Sequence, residues 1–334
     1  MSGLACSITS NSTLDYAFFA FLWFGIFKVA TFPLEFYSGF ALEHRFGLSH
    51  QTYRAWVWEN IKGLMVSCVL GLPLVCVLQV MLAHFAHWWI MAGTLFFLFS
   101  VVLSHLAPLL LFPLFYKFTP LQNSALSERL KQLGSSQGFK ISDVFSFNMS
   151  KETRKGNAAL TGLGKTRRII ISDTLLEKLD DDEVTAVFAH ELDHAGHGHV
   201  TALVAVGGVN IFAGLYAASL GLNALLQANP GKLSGVSDPA ALPLVLLAFM
   251  LFGLMVQPVN NALSRYFERQ ADDSAVRLMS GASALVSGLT KLGEQNLADE
   301  APHPLVKWYA YSHPPLKERI ARLTGAGPRE DAHG

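Results

Sequence analysis

Trp88-Trp89-Ile90-Met91-Ala92-Gly93-Thr94-Leu95-Phe96-Phe97-Leu98-Phe99 opens a stretch that runs to Pro113 without one Lys, Arg, Asp or Glu. A helix crosses a hydrocarbon core of about 30 Å with around 20 such residues. Residues 16–40, 61–84, 200–226 and 239–260 are comparably long and apolar, so five membrane spans are expected. The composition agrees: of 334 residues, 51% are hydrophobic and 15% charged, where soluble domains carry about 25% charged residues. With 25 Lys+Arg against 25 Asp+Glu, no basic excess exists to hold a polyanion, and nucleic acid is not expected as a partner. Cys6, Cys68 and Cys76 stand in no ligand spacing, and no disulfide framework is expected.

The first span has no basic residue ahead of it and outruns the apolar length of a secretory signal, so it reads as a retained anchor. It carries Lys28 and Glu35, and Lys28 is expected to reach along the helix to the interface. Loops rich in Lys and Arg stay cytoplasmic. Arg45, Arg54 and Lys62 follow the first span, Lys117, Arg129 and Lys131 the third, and Arg265 and Arg269 the fifth. Residues 1–14 and the turn from His84 to His87 have no Lys or Arg, and the loop between the fourth and fifth spans has only Lys232. Five crossings satisfy these biases with the N-terminus outside and the polar regions cytoplasmic. The bias does not distinguish a bacterial inner membrane from the endoplasmic reticulum.

Four segments follow from this division: 1–116 with three spans, 117–199, 200–260 with two spans, and 261–334. Within 117–199, Leu121 to Leu133 reads as an amphipathic helix. Asp143-Val144-Phe145-Ser146-Phe147 alternates, and Ile169-Ile170-Ile171 is β-branched; with Gly156, Gly162 and Gly164 between them they predict a small sheet. Asp180 with Glu183 three positions later forms a capping box opening a helix toward His199. From about Gly325 the composition is that of a loose tail.

That capped helix contains His190-Glu191-Leu192-Asp193-His194. Residues four apart share a helix face, so two imidazoles can meet one metal ion, with Glu191 beside a bound water. An accidental HExxH in a chain with 12 His is expected only about 0.02 times, so chance is a weak explanation. A catalytic zinc keeps three protein ligands and one open position. Glu268, after the fifth span and on the same membrane side, can supply the third, with Asp272 one turn later accepting a hydrogen bond from a liganding imidazole. Alternatively, Glu268 pairs with Arg265 or Arg269 in a juxtamembrane charge cluster. The fold class expected is mainly α, with polytopic membrane helices and a cytoplasmic zincin-like α+β catalytic region.

The chain resembles the type I CAAX prenyl endopeptidases, integral membrane zinc metalloproteases that cut prenylated C-terminal peptides. Besides HExxH and ExxAD, the resemblance rests on residues 40–49 (Phe40-Ala41-Leu42-Glu43-His44-Arg45-Phe46-Gly47-Leu48-Ser49), 113–121, Gly156-Asn157-Ala158, Ser172-Asp173-Thr174-Leu175, and 311–319 with His313 and Arg319. It implies one Zn2+ per chain held by His190, His194 and Glu268, with Glu191 as catalytic base and Asp272 supporting a ligand. It implies further that Asn157 holds substrate backbone, and that His313 and Arg319 line the active site, His313 stabilising the developing oxyanion and Arg319 contacting substrate. The expected partners are a peptide or protein substrate, prenylated or otherwise membrane-associated, and the lipid bilayer.

Two features depart from the family pattern. Its members typically have seven spans, and the pair without a counterpart here would precede the first. Asp193 stands where glycine is common, facing away from the HExxH edge. His197 and His199 are expected to pack or to support the ligands rather than bind a second metal. Alternatives are a heat-shock-type quality-control metalloprotease and, in a different class, a noncatalytic zinc-binding scaffold. An intramembrane site-two-type protease fits less well, because acidic residues 180–183 precede the HExxH.

Overall fold

The computed structural model describes residues 12–162 and 164–325. The loose tail expected past Gly325 and the uncharged start of the chain through residue 11 lie outside the described residues. The helices are α1 (Ser12–Phe36), α2 (Tyr53–His84), α3 (Trp88–Leu106), α4 (Ser124–Ser136), α5 (Asp173–Lys178), α6 (Asp181–Gly196), α7 (His199–Ala228), α8 (Ala241–Leu278), α9 (Ser283–Gln295), α10 (Pro304–Ala310) and α11 (Leu316–Leu323). The strands are β1 (Phe118–Pro120), β2 (Asp143–Phe147), β3 (Ala158–Thr161) and β4 (Arg168–Ser172).

Among the described residues, five helices are long and apolar enough to cross a membrane. They fall where hydropathy puts them, but their ends are set by other physics. α2 begins at Tyr53, ahead of the apolar run, because Thr52 caps it: its Oγ1 accepts the Ala55 amide at 3.3 Å. α1 and α3 are each prolonged through a widened π turn, Tyr37–Leu42 and Ala107–Leu111. In the second, Pro108 withholds an amide from the ladder. Lys28 does not reach along the helix alone; its ammonium pairs with Glu35, which also accepts the Thr31 hydroxyl at 3.0 Å.

The chain divides into two compact units. The first comprises residues up to Phe46, Gln51–Val101 and Val206–Val256. Its core joins Tyr16 and Ala20 of α1, Leu78 and Leu82 of α2, Trp88 of α3, Leu215 of α7 and Val245 of α8. α3 and α7 approach closely at Gly93, where an added Cβ would stand 2.6 Å from the Phe212 ring. The second unit comprises Gly47–His50, Val102–Ala205 and the chain from Gln257. It holds the expected sheet, mixed and four-stranded, in the order β1-β2-β4-β3. β2 and β4 are parallel, with Val144 opposite Ile169, and β3 runs antiparallel to β4 as a sheet edge.

The sheet's Val144, Ile169 and Ile171 pack with Leu126 and Leu130 of α4 and with Val184, Phe188 and Leu192 of α6. Those three α6 residues recur every fourth position and form one apolar edge. Ala186 and Ala189 form another, buried with Leu285 and Leu289 of α9. His190 and His194 continue the Ala186 row at the same four-residue spacing. α4 starts later than the expected Leu121, because Asn123 is its cap, its Oδ1 accepting the Leu126 amide at 3.0 Å.

Candidate active site

The capping box of α6 forms as the sequence predicts. Asp180 Oδ1 accepts the Asp182 and Glu183 amides at 3.0 and 2.9 Å, and Glu183 Oε2 accepts the Asp180 amide at 2.9 Å. Glu183 has a further role that sequence spacing does not reveal. Its buried carboxylate also accepts Ser287 Oγ at 2.6 Å and Lys291 Nζ at 2.7 Å, tying α9 to the start of α6. These bonds overcome burial and hold the Glu183 carboxyl below the ordinary carboxylate range.

On α6, His190 and His194 bring their Nε2 atoms within 3.3 Å of each other. α8 adds Glu268, with Oε2 3.3 Å from His190 Nε2 and Oε1 3.4 Å from His194 Nε2. The three form a compact donor set with all ligand atoms within 4.8 Å. A tetrahedral ion with ligands at about 2.0–2.1 Å has donor-to-donor edges of about 3.3–3.4 Å, the separation of the two Nε2 atoms and of each Glu268 oxygen from the imidazole it faces. Glu268 Oε2 is buried without a hydrogen-bond partner among the described groups, with Arg319 Nη1 only as near as 3.8 Å, so it retains a lone pair for a cation. Burial works against a charged His190, yet the Asp272 and Glu268 carboxylates raise its pKa to about 9, so the cluster attracts positive charge. The donor chemistry and the orphaned oxygen therefore fit a divalent metal. Glu191, next in the chain, has its pKa raised by burial, against the opposing influence of His190 and His194.

A layer of acids and bases supports the cluster. Asp272, fully buried, stands 3.1 Å from His190 Nδ1, and Arg319 of α11 holds it through two nitrogens. The Arg319 guanidinium lies on Asp272, with Nη1 3.8 Å from Glu268 Oε2. His313 Nε2 lies 3.2 Å from Glu268 Oε1 on a side chain 61% exposed, so it borders the ligands and meets solvent. Arg265, the alternative partner for Glu268, turns instead to the backbone, donating to Tyr311 O at 2.6 Å. Asn261 likewise donates to Tyr309 O at 2.6 Å. Together they fasten the segment leading to His313 onto α8.

Asn157 lies just before edge strand β3, its carbonyl accepting the Ser172 amide at 2.8 Å and its own amide donating to Ser172 Oγ at 2.9 Å. β3 packs on α6, the helix of the two histidines. Asp193 is buried off the metal edge, with Oδ1 2.7 Å from His197 Nδ1. His199 comes to 3.1 Å from His194, Nδ1 to Nδ1. Residues of the 40–49 and 113–121 segments meet around Glu152, whose carbonyl accepts Ser49 Oγ at 2.7 Å and whose carboxylate accepts Tyr116 Oη at 3.0 Å.

A helix with an HExxH pair on a small mixed sheet, joined by a carboxylate from a later helix, defines a membrane metallopeptidase of the zincin type. The family model of Peptidase family M48 matches residues 120–326, and that of the CAAX prenyl protease N-terminal region, described as five membrane helices, matches residues 1–117. The chain is 34% identical over 314 residues to the CAAX prenyl protease 1 homolog of Arabidopsis thaliana, covering 91% of this chain and 72% of that one. It is 32% identical over 309 residues to the uncharacterized metalloprotease YhfN of Bacillus subtilis, covering 90% and 71%. The crystal structure of S. mikatae Ste24p superposes with a TM-score of 0.85 at 26% identity, over 96% of this chain and 80% of that one. The chain therefore belongs to peptidase family M48 and is a membrane metalloendopeptidase of the CAAX prenyl protease type.

Proposed function

We propose that one Zn2+ per chain, held by His190, His194 and Glu268, serves the hydrolysis of peptide bonds near the C-termini of prenylated or other membrane-associated proteins, at the cytoplasmic face. The observation that carries this reading is the triangle of residues His190, His194 and Glu268, the two Nε2 atoms 3.3 Å apart and each Glu268 oxygen at 3.3 or 3.4 Å from one of them, with Glu268 Oε2 buried and without a hydrogen-bond partner among the described groups. When bound, the ion makes a water acidic and polarises a carbonyl.

Glu191 takes the proton of the attacking water and delivers it to the leaving amine as the C–N bond breaks. Its raised pKa favours the first step, since a more basic carboxylate takes the water proton more readily. His313, at the solvent-facing border, donates to the carbonyl oxygen as negative charge develops. Asn157 and the edge of β3 hold the extended peptide, the strand-addition mode open to an edge with unpaired backbone groups. Arg319 and Asp272 keep His190 oriented. The charge bias of the loops supports the cytoplasmic orientation.

The test compares zinc-dependent cleavage of a farnesylated CAAX peptide with cleavage of its unlipidated twin. Faster cleavage of the farnesylated peptide is expected. Equal rates would instead favour general quality-control proteolysis.

A further inference from the structure

We infer that His199, steered by Gln270, is a positioning residue that decides which ring nitrogen of His194 is presented to the metal. The inference rests on the ligand set proposed above. His194 Nε2 faces His190 Nε2 at 3.3 Å and Glu268 Oε1 at 3.4 Å. To bind an ion there it must offer a lone pair, so its proton belongs on Nδ1. That Nδ1 lies 3.1 Å from His199 Nδ1. Two ring nitrogens facing each other share one proton, so His199 must accept at Nδ1 and carry its own proton at Nε2.

The surroundings meet that requirement. His199 Nε2 lies 3.0 Å from Gln270 Oε1, an acceptor, and the Gln270 amide nitrogen donates to Tyr266 Oη at 3.0 Å. The chain of bonds from His194 through His199 and Gln270 to Tyr266 runs consistently in one direction. Run backwards, it would put a proton on His194 Nε2 and spoil the ligand. The rival acceptor for a proton on His199 Nδ1 is Asp193 Oδ2, at 4.0 Å beyond hydrogen-bond reach, and the other Asp193 oxygen faces His197 at 2.7 Å. His199 is 3% exposed, so bulk water does not replace Gln270. Its ring plane is fixed by Phe267, stacked at 4.2 Å and 11°.

The backbone makes the meeting possible. Five residues along an unbroken helix two side chains diverge by about 140°. Here Gly198, at φ +69°, ends α6 and turns the chain so that His199 returns to His194. Tyr266, Phe267 and Gln270 come from the same turns of α8 that deliver Glu268. The two imidazole ligands are thus oriented differently, His190 by a carboxylate and His194 by a neutral ring.

The test uses the full-length chain in detergent and measures the zinc dissociation constant by chelator competition, with the visible spectrum of the Co2+ form as a second readout. His199→Leu and Gln270→Met remove the acceptors and are expected to weaken zinc about 10–100-fold and to alter the Co2+ spectrum. His199→Asn keeps an acceptor where Nδ1 stood and is expected to stay within about threefold of wild type. Zinc affinity unchanged in His199→Leu and Gln270→Met overturns the inference. Equal weakening in His199→Asn, together with a lowered Tm, also overturns it, since only packing would then matter. His194→Ala separates the levels: loss of zinc there with full affinity in His199→Leu keeps the ligand set and removes the positioning role, whereas a wild type that binds no zinc removes both.

Discussion

Arg319 grips Asp272 with two nitrogens, Nε 3.0 Å from Oδ2 and Nη2 2.5 Å from Oδ1, and Asp272 in turn faces His190 at 3.1 Å. A planar fork on a planar carboxylate fixes orientation, which a single ammonium cannot do. Arg319→Lys is expected to weaken metal binding roughly tenfold by letting Asp272 and His190 turn, read by chelator competition. Arg319→Ala leaves a fully buried carboxylate short of its main partner and is expected to lower stability by about 3–5 kcal/mol. A thermal unfolding scan checks this, and an unchanged Tm would contradict it.

Glu191 is separable from the ligands. Glu191→Gln removes the proton acceptor but no donor of the triangle. Hydrolysis should fall by about 10²–10⁴-fold while metal content stays at the wild-type level. Metal analysis alongside peptide turnover reads both, and substantial activity in this variant would exclude the assigned base.

Glu268 is expected to bind metal rather than merely to neutralise its neighbours. Glu268→Ala should reduce metal per chain sharply, since two imidazoles make a poor closed set. Unchanged stoichiometry would remove Glu268 from the ligands.

Glu183 makes a prediction about pH. Its carboxyl is held below the ordinary value by Lys291, Ser287 and the Asp180 amide, against burial. Its stabilising contribution is therefore complete above the unfolded value of about 4.3 and is lost as pH falls through the lower folded value. Glu183→Gln should lower Tm at pH 7, and the gap from wild type should close as pH drops below about 4. A gap constant with pH would mean that packing, not charge, is involved.

The α6 helix was the most legible part of the molecule, because its cap, its apolar edge and its HExxH pair are all local patterns in the sequence. Glu268 and Asp272 were legible as a pair one turn apart, since a shared helix face follows from spacing alone. What spacing could not convey was partnership across the fold. Arg319 carries no local sign that Asp272 will occupy it, Lys291 none that it will reach Glu183, and Arg265 none that it will choose the Tyr311 carbonyl over Glu268. Helix ends elude hydropathy for a related reason: Thr52 and Asn123 set them through single hydrogen bonds, which apolar content does not weigh.

Gly198 occupies the left-handed region at φ +69°. Gly198→Ala should cost roughly 1–2 kcal/mol of stability from the added Cβ alone. Chemical denaturation reads the loss, and a neutral effect would mean that the turn relaxes freely.

The helix α8 (Ala241–Leu278) contains Pro258, and from that proline onward it runs as continuous helix to the carboxylate at Glu268. Inserting a single residue anywhere between 260 and 267 would swing everything beyond it by about 100° around the axis. Insertions and deletions in this stretch should therefore be far more damaging than substitutions, and descendants of this gene should vary there in letters but not in length.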